Sequence, residues 1–155
     1  MGQRLLIRLA APADFPTVRA LVRDAGLPLD GFDEASSVFV AERDGAVLGV
    51  AALEDHVDGT GRAMLLRSVA VHAEARGSGI GTALVHAALR TAEQHGSSVS
   101  LLTETAGEYF PRFGFDMVDR GALPSALTKS KELQGACPAT ARALTRLPAL
   151  PPAVA

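Results

Sequence analysis

The sequence predicts an α/β fold in which helices flank one mixed sheet, and three observations support it. A strand-like apolar run, Met64-Leu-Leu-Arg-Ser-Val-Ala-Val71, leads through Arg76-Gly77-Ser78-Gly79-Ile80-Gly81 into an apolar-periodic stretch from Gly79 to about His95. Two further apolar runs, Val38–Ala41 and Ala46–Leu53, flank Asp44-Gly45, a strong signal for a tight hairpin. Beyond the long helical stretch, strand-like and helix-like segments continue to alternate up to Val118.

Residues 3–9 alternate enough to form a first strand. The run is broken by Arg8 and is too short for a signal peptide or membrane span, so it reads as an edge strand. Asp14 and Pro16 start a helix that carries Phe15, Val18, Leu21 and Val22 at helical spacing, and Gly26 stops it before Pro28. Leu27–Ser36 is a polar crossing, suited to a short helix or a lid. His56–Gly61 reads as a loop and Arg62–Val71 as the strand that follows. The 79–95 helix ends at Gly96 with His95 in its last turn, a favourable C-terminal arrangement. Val99–Thr103 is the next strand. Ala106–Phe113 is a short helix closed by Gly114, and Phe115–Val118 is a final strand. A single domain is expected over 1–147, with 148–155 a disordered tail.

Length and composition agree with one domain and a real core: 155 residues, 48% of them apolar. Fifteen basic against 17 acidic residues leave a net charge of −2, which argues against a nucleic-acid footprint. One cysteine forms no internal disulfide, and a cytoplasmic protein with no membrane segment is the default expectation.

The segment 76–81 carries the chemistry. A helix N-terminus holds N–H groups without helical acceptors and favours an anion. The glycines let the backbone approach closely, and Arg76 adds a fixed positive charge. The segment therefore reads as a pyrophosphate cradle. No lysine follows the glycines, which excludes a Walker loop. Thr82 stands where the third glycine of a Rossmann fingerprint belongs.

What remains, Arg-x-x-Gly-x-Gly, resembles the acetyl-CoA-binding signature of the GCN5-related N-acetyltransferase (GNAT) superfamily. So do Val69-x-Val71 before it, Tyr-Phe-Pro-Arg-Phe-Gly-Phe at 109–115, and the element order over roughly residues 3–120. Leu65-Leu-Arg-Ser-Val-Ala-Val71, Leu102-Thr103 and Cys137-Pro-Ala-Thr-Ala also resemble the arsenic-resistance N-acetyltransferases, which sit near the amino-acid N-acetyltransferases.

The resemblance implies the acyl-CoA N-acyltransferase fold and acetyl-CoA as co-substrate. The donor would lie against Val69, Ala70, Val71, Arg76, Gly77, Ser78, Gly79, Ile80, Gly81 and Thr82, with the Val69 N–H aimed at the thioester oxygen. It implies an amine acceptor that is small, anionic and amino-acid-like, either in arsenic detoxification or in amino-acid metabolism. It also allows a homodimer through exposed strands. A non-catalytic acyl-CoA sensor is the alternative.

The chain departs from the family pattern in two places. Phe110 stands where relatives carry the tyrosine acid; Tyr109 precedes it by one helical step of about 100° and is either the acid in its place or a packing residue. Catalysis is therefore expected to rest mainly on positioning. Arg67-Ser68 replaces a carboxylate before Val69 and suits an anion on the substrate, unless Arg67 only pairs with a neighbouring glutamate. Glu54 and Glu104 are the candidate bases, with His56 and His72 behind them. Lys129, Ser130 and Lys131 either line the acceptor side or sit in a solvated loop. Cys137 is either an arsenical ligand or a small buried residue, and trivalent arsenic prefers two or three thiolates.

Overall fold

The computed structural model of the protein describes residues 4–149. Its strands are β1 (Leu5–Leu9), β2 (Ser37–Arg43), β3 (Ala46–Asp58), β4 (Gly61–Val71), β5 (Ser98–Thr103), β6 (Asp116–Val118) and β7 (Arg142–Arg146). The helices α1 (Phe15–Asp24) and α2 (Ile80–Gln94) complete the frame. The strands form one sheet in the order β1-β2-β3-β4-β5-β7-β6. β4 and β5 pair in parallel and all other neighbours are antiparallel, so the sheet is mixed as expected.

Period-2 alternation assigns the two faces. Val38, Val40, Val50 and Ala52 meet Val18, Leu21 and Val22 of α1. Phe39, Ala41, Ala51 and Leu53 meet Ile80, Leu84, Val85 and Ala88 of α2. Asp44 (φ 52°) and Gly45 (φ 81°) make the β2–β3 turn with two left-handed residues, the twist that antiparallel strands accept.

Several elements depart from the expectation. His56, Val57 and Asp58 extend β3 rather than forming a loop, because their backbone pairs with Ala63, Arg62 and Gly61 of β4. The turn shrinks to Gly59-Thr60, held by Asp58, which accepts from the Thr60 N–H at 2.8 Å. The 106–113 segment is a turn followed by a single tight 3₁₀ turn, Phe110–Phe113. Arg142–Arg146 is a strand that sequence reading missed, inserted between β5 and β6. The expected tail lies for the most part outside the described residues.

Two irregularities open the site. β4 and β5 pair only over Ala63–Leu65 and Ser98–Ser100, after which they separate. In β4, Val50 pairs with Ala70 and Ala52 with Arg67, so Ser68 and Val69 form a bulge opposite Ala51. Ser68 sits at φ 59°.

Gly49 of β3 lies under α2. A Cβ there would fall 2.9 Å from Leu84 Cδ1 and 3.0 Å from Ile80 Cγ2. Both neighbours belong to the packed core, so Gly49→Val should cost about 1–3 kcal/mol through overpacking. A lower urea midpoint with an unchanged m-value is the expected result; an unchanged midpoint would refute the close packing.

Candidate active site

After β4 the chain passes a 3₁₀ turn, Ala73–Ala75, and reaches Gly77 and Gly79 at φ 82° and 83°. The first bond of α2 runs from the Ala83 N–H to Gly79 O at 3.1 Å. The N–H groups of Ile80, Gly81 and Thr82 therefore precede it and have no helical acceptor. A Cβ on Gly77 or Gly79 would meet nothing within 4 Å, so the space over the turn is open. Arg76 Nε donates to Val71 O at 3.2 Å, tying the arginine to the end of β4. A hollow of about 310 Å³ is bounded by Arg76, Gly77, Gly79, Gly81, Tyr109 and Arg112.

This hollow runs into a cleft of about 350 Å³ between the separated strands, with Val71, Arg76, Gly81 and Tyr109 lining both. Leu66–Val69 form one wall and Leu101–Thr103 the other. Tyr109 stands at the junction, its hydroxyl 2.9 Å from Thr82 Oγ1. The Arg112 guanidinium lies 4.4 Å from the centre of its ring. Phe110 is buried among Tyr109, Phe113 and Phe115. The expected 100° offset between Tyr109 and the acid position presumed an α-helix, which this segment does not form.

A further hollow of about 380 Å³ continues the cleft beyond Thr103 and Thr105 to Glu104, Cys137 and Pro138. Glu104 is exposed and accepts a hydrogen bond from Thr140 Oγ1 at 3.1 Å. Thr103 Oγ1 accepts from the Ala106 N–H at 3.0 Å, leaving its own O–H free to donate. Thr103 and Thr105 were not among the expected site residues; the signals were their place at and just beyond the end of a short strand and the Leu102-Thr103 pair in the resemblance.

Arg67 takes the second of its two expected places, paired with glutamate though buried, and Glu54 is engaged by that pairing. The Arg67 side chain is 0% exposed. Its Nη1 donates to Asp30 O (2.7 Å) and Glu54 Oε2 (2.9 Å), and its Nη2 to Pro28 O (2.9 Å). Its Nε lies 3.1 Å from both Ser68 Oγ and Glu132 Oε2. The guanidinium is committed to the interior rather than to an open anion seat. Glu54 is 3% exposed and is held by Arg67 and by His56 Nε2 at 2.7 Å, which leaves no free carboxylate to act as a base. His72 sits at the turn into the cradle, accepting from the Glu74 N–H at 3.2 Å. Lys129 is exposed and Ser130 buried.

Cys137 is buried, and its thiol donates to Glu132 Oε1 at 3.3 Å. Burial, followed by the negative charge of Glu132, pushes the thiol up to about 12. Burial likewise raises Glu132 above the usual carboxylate range, against the opposing pull of Arg67. Among the described residues no cluster of His, Cys, Asp and Glu is arranged to hold a metal ion, and no helix is long and apolar enough to cross a membrane.

A family model, the acetyltransferase (GNAT) domain, matches residues 34–117, which contain the bulge, the cradle and Tyr109. The chain belongs to the GNAT acetyltransferase family. No curated protein matches this acetyltransferase by sequence. Among solved structures it is similar to the N-acetylglutamate synthase of Neisseria gonorrhoeae in complex with coenzyme A and N-acetyl-glutamate, at 24% identity and a TM-score of 0.78. That match covers 97% of this chain but only 36% of the synthase. It is similar to the GNAT family N-acetyltransferase YhbS of Escherichia coli in complex with CoA, at 27% identity and TM-score 0.62, covering 75% of this chain and 71% of that one. A Brucella melitensis GNAT family acetyltransferase in complex with acetyl-CoA matches at 26% identity and TM-score 0.60, covering 74% and 84%.

The Cys137 environment generates a simple test. A thiol near 12 instead of about 9 has roughly a thousandfold less thiolate at pH 8. Ellman's reagent should therefore label the native protein far more slowly than the guanidinium-unfolded chain. Equal rates would refute the buried thiol.

Proposed function

We propose that this acetyltransferase moves the acetyl group of acetyl-CoA onto the primary amine of a small, amino-acid-like acceptor. The observation that carries this reading is the continuous path from the cradle, past the Ser68–Val69 bulge and Tyr109, to Glu104. The residues suit acetyl-CoA. Unpaired N–H groups and Arg76 match a pyrophosphate, and the open space over Gly77 and Gly79 lets it approach. The stretch of β4 beyond Leu65 is unpaired on its β5 side, so Val69 and Val71 can pair with an extended arm.

When bound, acetyl-CoA supplies the acetyl group as a thioester: an N–C bond forms, the C–S bond breaks, and a thiol leaves. The Val69 N–H, freed by the bulge, polarises the carbonyl. The Tyr109 hydroxyl, at the junction of cradle and cleft, gives a proton to the departing sulfur, with Thr82 as its partner. Glu104 takes the first proton from the incoming ammonium, and the second, lost from nitrogen as the amide forms, restores the Tyr109 hydroxyl. The O–H donors of Thr103 and Thr105 suit the acceptor's carboxylate, the anion first assigned to Arg67.

Two further features bear on the acceptor. The Neisseria synthase, bound to N-acetyl-glutamate, favours an amino acid. The Cys137-Pro-Ala-Thr-Ala segment, with Cys137 on the acceptor wall, favours an amino-acid-like arsenical as the natural acceptor. In that version the arsenical is recognised through its amine, because trivalent arsenic prefers two or three thiolates and the chain has one cysteine.

The test is free-thiol release from acetyl-CoA across amino acids and amino-acid-like arsenicals. Release with one acceptor supports the transferase, whereas binding of acetyl-CoA with no release for any acceptor identifies a sensor. Gly79→Asp and Gly81→Asp should abolish acetyl-CoA binding in calorimetry by placing a negative charge in the phosphate seat. Tyr109→Phe should lower kcat about a hundredfold with the acetyl-CoA KM within about threefold. A loss below tenfold would remove Tyr109 as the acid.

A further inference from the structure

Arg67 carries a buried cation that the transfer just described does not use. Besides the adjacent Ser68, its partners come from segments distant in sequence: the Pro28 and Asp30 carbonyls, Glu54 of β3, and Glu132 in the turn Glu132–Ala136. Three of these segments reach the cleft. Leu27 and Pro28 wall it, Ser68 and Val69 form the bulge, and Cys137 directly follows the Glu132 turn. Ser68 holds a left-handed φ of 59°, a conformation that costs a non-glycine residue on the order of 1 kcal/mol or more and persists only where surroundings impose it.

We propose that Arg67 is a positioning residue for acetyl transfer. Its buried fork locks the Ser68–Val69 bulge on the donor side to the Glu132–Cys137 turn on the acceptor side. The assignment of those sides rests on the acetyltransferase reading. The geometry demands arginine. The planar fork reaches a hydroxyl, two carboxylates and two carbonyls at once, whereas a lysine ammonium is a point charge with three donors. Truncation would be destructive for a different reason, leaving Glu54 and Glu132 buried without their shared cation.

The decisive experiment pairs hydrogen–deuterium exchange with steady-state kinetics on Arg67→Lys. Exchange should accelerate together in residues 66–71 and 130–137, while 84–92 of α2 stay protected. In the assay, kcat should fall about a hundredfold, as for an ångström-scale misplacement, with the acetyl-CoA KM within about twofold. Should Arg67→Lys fail to fold, the charge-free variant Arg67→Met/Glu54→Leu/Glu132→Leu separates the roles, since buried ion clusters are replaceable by apolar side chains of similar volume with little loss of stability. It should retain the wild-type Tm yet keep the kcat loss. Wild-type exchange in either segment overturns the proposal, as does wild-type kcat in the charge-free variant. Absence of thiol release from the wild-type protein with every amine would instead sink the transferase reading, and the exchange pattern would still decide the coupling.

Discussion

Parallel pairing between β4 and β5 extends from Ala63 to Leu65 and then stops, and the site depends on that ending. A parallel pair that ran its full length would seal the backbone of Leu66–Val71 in hydrogen bonds and close the cleft. Because the strands part, β4 keeps backbone groups open along the edge where an extended ligand can add itself as a strand. The same strand then delivers the chain to the N-terminus of α2, so the open edge and the anion-seeking helix end are contiguous.

Packing on both faces makes the separation tolerable. α2 covers one face through Ile80, Leu84, Val85 and Ala88, and α1 covers the other through Val18, Leu21 and Val22. With both faces covered, the sheet can lose ladder bonds along one seam without losing its core. β7 restores antiparallel pairing on the far side of β5, which holds that strand while Leu101–Thr103 on its other edge stay unpaired.

Charge is partitioned with the same economy. Partly buried surface pairs such as Arg8 with Asp14 join β1 to the start of α1; this pairing, led by the hydrogen bond from Arg8, holds Asp14 below the usual carboxylate range. Such pairs contribute little to stability. The charged group that shapes the interior is the Glu54–Arg67–Glu132 cluster, where desolvation is severe and every donor must find a specific acceptor. That requirement gives the cluster directional hold over the loops around the cleft.

The sequence by itself determined the elements whose signals are local. Asp44-Gly45 marked the hairpin, the 3.6-residue period marked α2, and Gly77 and Gly79 marked the turn into it, because left-handed φ values and helix periodicity are written in adjacent residues. Only the tertiary structure decided the rest. β7 is five residues whose strand character comes from neighbours 39 to 47 positions away at β5. Tyr109 reaches the cradle because its segment turns irregularly instead of forming an α-helix. Arg67 looked available in the chain; it is occupied in the fold because Glu54, Glu132 and the Pro28 and Asp30 carbonyls converge on it from separate segments. Convergence and burial arise only when distant segments pack, and they decide whether a charged side chain binds a ligand or holds the protein together.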